Sequence, residues 1–166
     1  MFELTPEGEE DWWEVETLYD LCFGPSRTAL SSYRLREGVE PVAGLSLAAR
    51  DPEGFIAGAI RYWPVRIEAG AGGTHRALLL GPVAVHPTHQ GEGLGGVLIR
   101  DSLDIAARHG WPRVMLVGDA PYYARFGFDR LDGITMPPPT NPDRVLGRAL
   151  TPGAWDGIAG RVMREA

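Results

Sequence analysis

Gln90-Gly91-Glu92-Gly93-Leu94-Gly95 decides how this chain is read. The stretch follows an apolar run, Ala77 to Val85, that reads as a buried strand, and it precedes a helix-like segment, Leu94 to His109. A glycine-rich turn that opens a helix is a ready anion site. Its N–H groups point outward and the helix dipole adds roughly half a positive charge. Glycine lacks the Cβ that would keep a phosphate from the backbone. The stretch therefore predicts a phosphate-bearing ligand held by Gln90 and by the main chain from Gly91 through Glu92, Gly93, Leu94 and Gly95 to Gly96. Glu92 would repel a phosphate if it turned inward, so it is expected to face solvent.

Three glycine patterns compete for this loop. A Walker loop requires a lysine, and the chain contains none. The letters G-x-G-x-x-G of a dinucleotide fingerprint are matched by Gly91, Gly93 and Gly96. That fingerprint, however, starts at the end of a strand inside a repeated βαβ array. Here His86-Pro87-Thr88-His89-Gln90 intervenes, and the half of the chain before it reads as a strand meander. The third pattern, Q/R-x-x-G-x-G/A between strand and helix, is filled by Gln90, Gly93 and Gly95.

On that third pattern the chain resembles the GCN5-related N-acetyltransferases (GNAT). Two further pieces carry the resemblance. Leu80-Gly81-Pro82-Val83-Ala84-Val85-His86-Pro87 is similar to the family's fourth strand and its exit, and Tyr123-Ala124-Arg125-Phe126-Gly127-Phe128 to its Y-x-x-x-G-F signature. Tyr123 stands 30 residues past Gly93, a family-like spacing. The wording Gly118-Asp119-Ala120-Pro121-Tyr122-Tyr123, with Tyr33-Arg34-Leu35-Arg36-Glu37-Gly38 upstream, resembles a bacterial branch labelled YhbS-type N-acetyltransferases.

The resemblance implies an α+β (α/β) acyl-CoA N-acyltransferase fold. Its sheet would be mixed, mostly antiparallel and splayed at strands four and five, with helices on both faces. Residues 1–150 would form the N-acetyltransferase domain, with 151–166 as a C-terminal extension packed on it. The implied reaction moves an acetyl group from acetyl-CoA, a cosubstrate, to a primary amine by direct attack in a ternary complex, without a metal. The backbone of Val83, Ala84 and Val85 would pair with pantetheine like an added strand. Tyr123 would donate a proton toward the leaving sulfur, since a phenol stays protonated at neutral pH; the adjacent Tyr122 keeps the register open by one. Asp119 stands where many members have Asn near the pantetheine, and a turn-capping role is also open to it. The apolar fourth strand holds no acid, so the general base is unassigned: His75, Glu40, Asp119 or no residue at all fits. The acceptor, a small-molecule or peptide amine, would lie between the segment Phe23 to Arg36 and the loop Thr135 to Arg144. A non-catalytic acyl-CoA-binding module on the same fold is the competing reading.

Composition bounds these readings. A chain of 166 residues makes one domain, and a domain near 150 residues buries roughly 70% of the surface its unfolded chain exposes. A net charge of −6 argues against nucleic acid or an anionic membrane as partner. The same bias suits cationic amines, or solubility alone. Cys22 is alone and sits in an apolar stretch, which predicts a buried small hydrophobe in a reducing compartment. The first residues are acidic and no run approaches 18 apolar residues, which suits the cytoplasm. A homodimer is compatible with all of this. The four histidines show no metal-ligand spacing.

Along the chain, Phe2 to Leu4 predicts a first strand, and Thr5-Pro6-Glu7 the start of a helix bearing Trp12, Val15, Tyr19 and Cys22. Arg27 to Glu37 predicts a second short helix. Gly44 to Arg50 and Phe55 to Val65 predict strands joined by a turn at Asp51-Pro52-Glu53-Gly54. Pro82 predicts a bulge in the central strand. Arg113 to Val117 predicts strand five, Tyr122 to Phe126 a short helix, and Met136 to Pro142 an irregular loop. Val145 to Leu150 predicts the final strand, and Trp155 to Arg164 a C-terminal helix.

Overall fold

The computed structural model describes residues 1–70 and 72–165. Its centre is a long hairpin, β3 (Ile56–Glu68) against β4 (Thr74–Val85). Outward from β3 come β2 (Leu47–Arg50) and β1 (Glu3–Pro6), both antiparallel. On the other side, β5 (Arg113–Val117) runs parallel to β4, followed by β8 (Val145–Ala149) and β6 (Asp129–Arg130). Helix α1 (Trp12–Phe23) and helix α2 (Leu94–Arg108) take opposite faces. Strand alternation produces this split. Leu47, Ala49, Ile60 and Tyr62 meet Leu94, Leu98 and Leu103 of α2, while Ala48, Ala59 and Ala84 meet Val15, Leu18 and Tyr19 of α1. The alanines on the α1 side let that helix approach closely.

The bulge expected at Pro82 is present. Ile60 pairs with Val83 and Tyr62 with Leu80, so Gly81 and Pro82 together oppose Arg61. Pairing with β5 stops just before it, at Leu79 and Met115. Beyond that point the two strands diverge, and β4 continues to Val85 without a neighbour on that edge. The splay expected at strands four and five is thus a sequence-local consequence of a bulge and a proline that lacks an N–H.

Five local readings are corrected. Thr5 and Pro6 finish β1, and α1 starts only at Trp12, after a 3-10 turn at Glu9–Asp11 closed by Gly8 N–H donating to Asp11 Oδ2 at 2.8 Å. Arg27 to Glu37 is no α-helix. It forms two 3-10 segments, Pro25–Ala29 and Ser31–Leu35, broken at the extended Leu30. Trp155 to Arg164 is no helix either: turns lead into β9 (Gly160–Arg164). β2 stops pairing with β3 at Ile60, which leaves an open edge from Val65 to Glu68, and β9 covers it with Val65 opposite Arg164. At Gly160 φ is +153° and a Cβ would run into the Glu68 backbone, so this docking needs glycine. The last strand is therefore β9, not the one at Val145; it also pairs in parallel with the short β7 (Ile134–Thr135). The predicted short helix at Tyr122 lies two residues earlier, as α3 (Ala120–Ala124).

Candidate active site

The splay opens a cleft of about 380 Å³ between β4 and β5, floored by Leu79, Leu80 and Leu116. His86 N–H donates to Ala57 C=O at 2.7 Å. Antiparallel pairs alternate, so Ala84 faces β3 and the main-chain groups of Val83 and Val85 turn to the free edge. Val85 C=O is engaged there by Cys22 Sγ–H and Gln90 Nε2, both at 3.4 Å. Its N–H, and both groups of Val83, face the opening. The Pro82 carbonyl accepts the Tyr19 hydroxyl at 3.0 Å, which ties α1 to the bulge. Burial pushes the Cys22 thiol up, so this half-buried residue holds a carbonyl instead of offering a thiolate.

At the end of β4 a 3-10 turn, Pro87–His89, is capped by His86 Nδ1, which accepts from Thr88 N–H. The loop then bends through Gly93, where φ is +81°, into α2. The first intrahelical bond of that turn is Val97 N–H to Gly93 C=O at 3.2 Å. The N–H groups of Leu94, Gly95 and Gly96 precede it and open at the helix mouth. Glu92 is exposed, as expected, with its carboxylate 3.4 Å from His89 Nδ1. Gln90 lies at the junction of strand edge and loop. Among the described residues no group of three His, Cys, Asp or Glu side chains is placed to hold a metal.

Both α3 tyrosines are half-buried, and the structure separates them. Tyr123 lines the cleft beside Pro82, Val83 and Gly118. Gly118 makes room for it: a Cβ there would stand 2.7 Å from the Tyr123 ring. Burial, helped by the neighbouring Tyr122, pushes the Tyr123 phenol up to about 12. Tyr122 turns away, its hydroxyl beside Gly95 on the first turn of α2. Asp119 caps α3, accepting from Tyr122 N–H at 3.3 Å, and is the one carboxylate among the described lining residues. Of the other base candidates, Glu40 is exposed and outside the cleft, and His75 pairs with Ile67 eight residues before Val83, roughly 26 Å away along the strand.

The opposite wall comes from the two segments between which the resemblance implies the acceptor, Phe23 to Arg36 and Thr135 to Arg144, although none of its residues was singled out in the sequence. Arg27 and Tyr33 from the 3-10 segments, with Arg36 just after the second, line it, and Arg144 closes one end. Ser31 Oγ and Thr140 Oγ1, 2.6 Å apart, fasten these segments to the proline-rich loop. Behind them Arg61, 2% exposed, is held by Glu7 (2.9 and 2.8 Å) and by Glu16, with its guanidinium 3.9 Å from the Trp12 ring. A larger, more open groove of about 530 Å³ lies between α1 and the turns that follow β2 and β4, around Trp13, Leu21, Phe55 and His89. It touches neither the strand edge nor Tyr123, and the chemistry is therefore assigned to the smaller cleft.

Residues 4–131 match the family model for an acetyltransferase (GNAT) domain. The chain belongs to the GNAT family. E. coli YhbS, an uncharacterized N-acetyltransferase, is 33% identical over 115 residues, which is 69% of this chain and 66%, just under two thirds, of that relative. E. coli YjhQ is 35% identical over 133 residues, covering 80% of this chain and 71% of its own length. The GNAT fold assigned here matches the crystal structure of E. coli YhbS in complex with CoA, with a TM-score of 0.83, 26% identity, and coverage of 99% of this chain and 89% of that one. A Brucella melitensis GNAT acetyltransferase in complex with acetyl-CoA superposes with a TM-score of 0.71 and 28% identity over 100% of this chain and 97% of that one. In this GNAT chain the glycine loop is accordingly no dinucleotide fingerprint: β4 feeds α2 from a mostly antiparallel sheet, not a doubly wound parallel one.

Proposed function

We propose that this GNAT protein is an acetyl-CoA-dependent N-acetyltransferase that acts on a primary amine by direct attack in a ternary complex. The observation that supports it most is the meeting of three features at one end of β4. These are a strand edge free at Val83 and at the Val85 N–H, the open N–H groups at the mouth of α2, and a protonated phenol in the adjoining cleft. The crystallised relatives hold CoA and acetyl-CoA, and the same cosubstrate fits this arrangement.

The strand edge receives the amides of the pantetheine arm, and the main chain from Gly91 to Gly96, with Gln90, receives the pyrophosphate. A neutral amine attacks the thioester carbon; the C–N bond forms as the C–S bond breaks. The nitrogen loses one proton and the sulfur gains one. Tyr123 donates toward the sulfur. A phenol near 12 lies above an ordinary thiol near 8.5, so it acts first as a hydrogen-bond donor to the developing thiolate. Full transfer leaves a phenoxide, and the proton that the ammonium sheds restores it, so the nitrogen's loss and the sulfur's gain balance. Asp119 is the cleft carboxylate available to that ammonium.

A thermal melt with acetyl-CoA, CoA, NAD and ATP, each near millimolar, tests the reading. A ligand at about 100 times its dissociation constant stabilises by about 2.7 kcal/mol, roughly 5–10 °C for a domain this size. We expect the rise with acetyl-CoA and CoA only. No rise with either overturns the reading.

A further inference from the structure

The wall of the cleft that faces Tyr123 carries two arginines in opposite states. Arg27 is satisfied: Nε donates to Asp20 at 3.0 Å, Nη2 to Glu16 at 2.9 Å and Nη1 to the Tyr33 hydroxyl at 2.6 Å. Arg36 lines the same cleft with weaker support: Nη2 reaches Ser32 Oγ at a long 3.5 Å, and the neighbouring Tyr33 hydroxyl favours its charge. Its Nε is buried without a partner, and among the described residues it forms no ion pair with a carboxylate. Its guanidinium carbon stands over two aromatic rings, 3.9 Å from the Tyr33 ring centre and 5.7 Å from that of Trp63. Arg144, exposed at the cleft end, has no ion pair among the described residues.

All of these unfilled groups are donors. A guanidinium has five N–H groups in a planar fork and no acceptor, a shape that matches a carboxylate. Burial disfavours the Arg36 charge, and an anion seated beside it offsets that cost. The far wall carries Asp119 and the Tyr123 phenol, with Arg144 at their edge: its C=O accepts from Gly118 N–H at 2.9 Å and its charge acts on the phenol. The cleft therefore sets Arg36 on one wall against Asp119 on the other, in a chain whose net charge is −6. Overall charge acts through solvent and is screened within about 10 Å, so recognition follows the local groups.

We propose that Arg36 binds a carboxylate of the acceptor, so that the substrate is a small amine carrying its own carboxylate, an amino-acid-like molecule. The carboxylate sits on Arg36, with Arg144 at the rim, and the amine points to the wall of Asp119 and Tyr123. This inference rests on the acetyltransfer reading above.

The test is a steady-state acetylation panel that pairs each amino acid with its amide and includes spermidine, run on the wild type, Arg36→Gln and Arg36→Lys. The acetyl-CoA thermal shift of each variant reports its folding. We expect the wild type to favour carboxylates over amides by roughly 10–100-fold in kcat/KM. Arg36→Gln should remove that preference through KM, and Arg36→Lys should restore part of it. Equal or better use of amides or spermidine by the wild type overturns the proposal. So does an equal loss on both members of each pair in Arg36→Gln, which marks a merely structural arginine. If acetyl-CoA stabilises the protein but no amino acid is acetylated or raises the melting temperature of the CoA complex, the carboxylate inference fails while the acyl-CoA site stands. If acetyl-CoA gives no shift, both fall.

Discussion

Replacing Tyr123 by Phe removes one oxygen from the cleft and nothing else of consequence. The ring keeps its packing against Tyr122, Phe126 and Phe128, at centroid distances of 5.0, 6.4 and 5.9 Å. Burial and neighbouring charges, with no hydrogen bond among them, account for the raised pKa of the hydroxyl, so its loss strands no protein partner. Folding should therefore change by less than about 1 kcal/mol, or 2–4 °C in melting temperature. Turnover should change far more. General-acid roles are worth roughly 10²–10⁴-fold. A phenol at about 12 is a poor match for an ordinary thiol, which places the expected loss near the lower end, about 10²-fold or about 2.7 kcal/mol of barrier. The assay is kcat with saturating acetyl-CoA, read from released thiol, beside the melt. The pH profile adds an independent arm. A phenol pushed up to about 12 stays protonated to the alkaline end of an ordinary assay, so wild-type kcat/KM should rise with pH as the amine is freed and show no falling limb below about pH 10. Full turnover in Tyr123→Phe, or a 10²-fold loss in Tyr122→Phe instead, refutes the reasoning.

Gly95→Ala separates fold from ligand binding. An added Cβ meets the Tyr122 hydroxyl at 3.4 Å and Val85 Cγ2 at 3.6 Å, ordinary contacts, and alanine favours a helix over glycine by about 1 kcal/mol. Stability should hold or rise, while a methyl group in the N–H mouth should weaken acetyl-CoA at least roughly tenfold by calorimetry. The Arg61 cluster makes the opposite test. Glu7→Gln leaves a 2%-exposed guanidinium short of a bidentate partner and should cost about 3–5 kcal/mol, seen as a fall of roughly 6–20 °C in the melt. A fall under about 2 °C in Glu7→Gln removes Arg61 from the structural frame.

The parts legible in the sequence are those whose structure is set by near neighbours. The glycine loop, the Pro82 bulge, the strand Arg113–Val117 and the helix from Leu94 each follow from a φ preference, a missing N–H or an apolar period within a dozen residues. Glu92 facing solvent follows from charge alone. The misread segments share one property, dependence on distant partners. Gly160–Arg164 is a strand because β3 offers an open edge nearly a hundred residues upstream in the chain. Arg27 to Glu37 is drawn into 3-10 turns whose Ser31 is fastened to Thr140, 109 residues away. Glu7 reads as a first-turn acid in isolation, yet it belongs to Arg61, 54 residues away. The cleft divides the same way. Val83, the glycines and Tyr123 are recognisable as motifs because main-chain geometry and one phenol carry their chemistry. The arginine wall is not, since isolated arginines in sequence read as solvated surface. Burial, a stacked tyrosine and the lack of a carboxylate give Arg36 its character, and those properties exist only once the segment after α1 has folded over the splay.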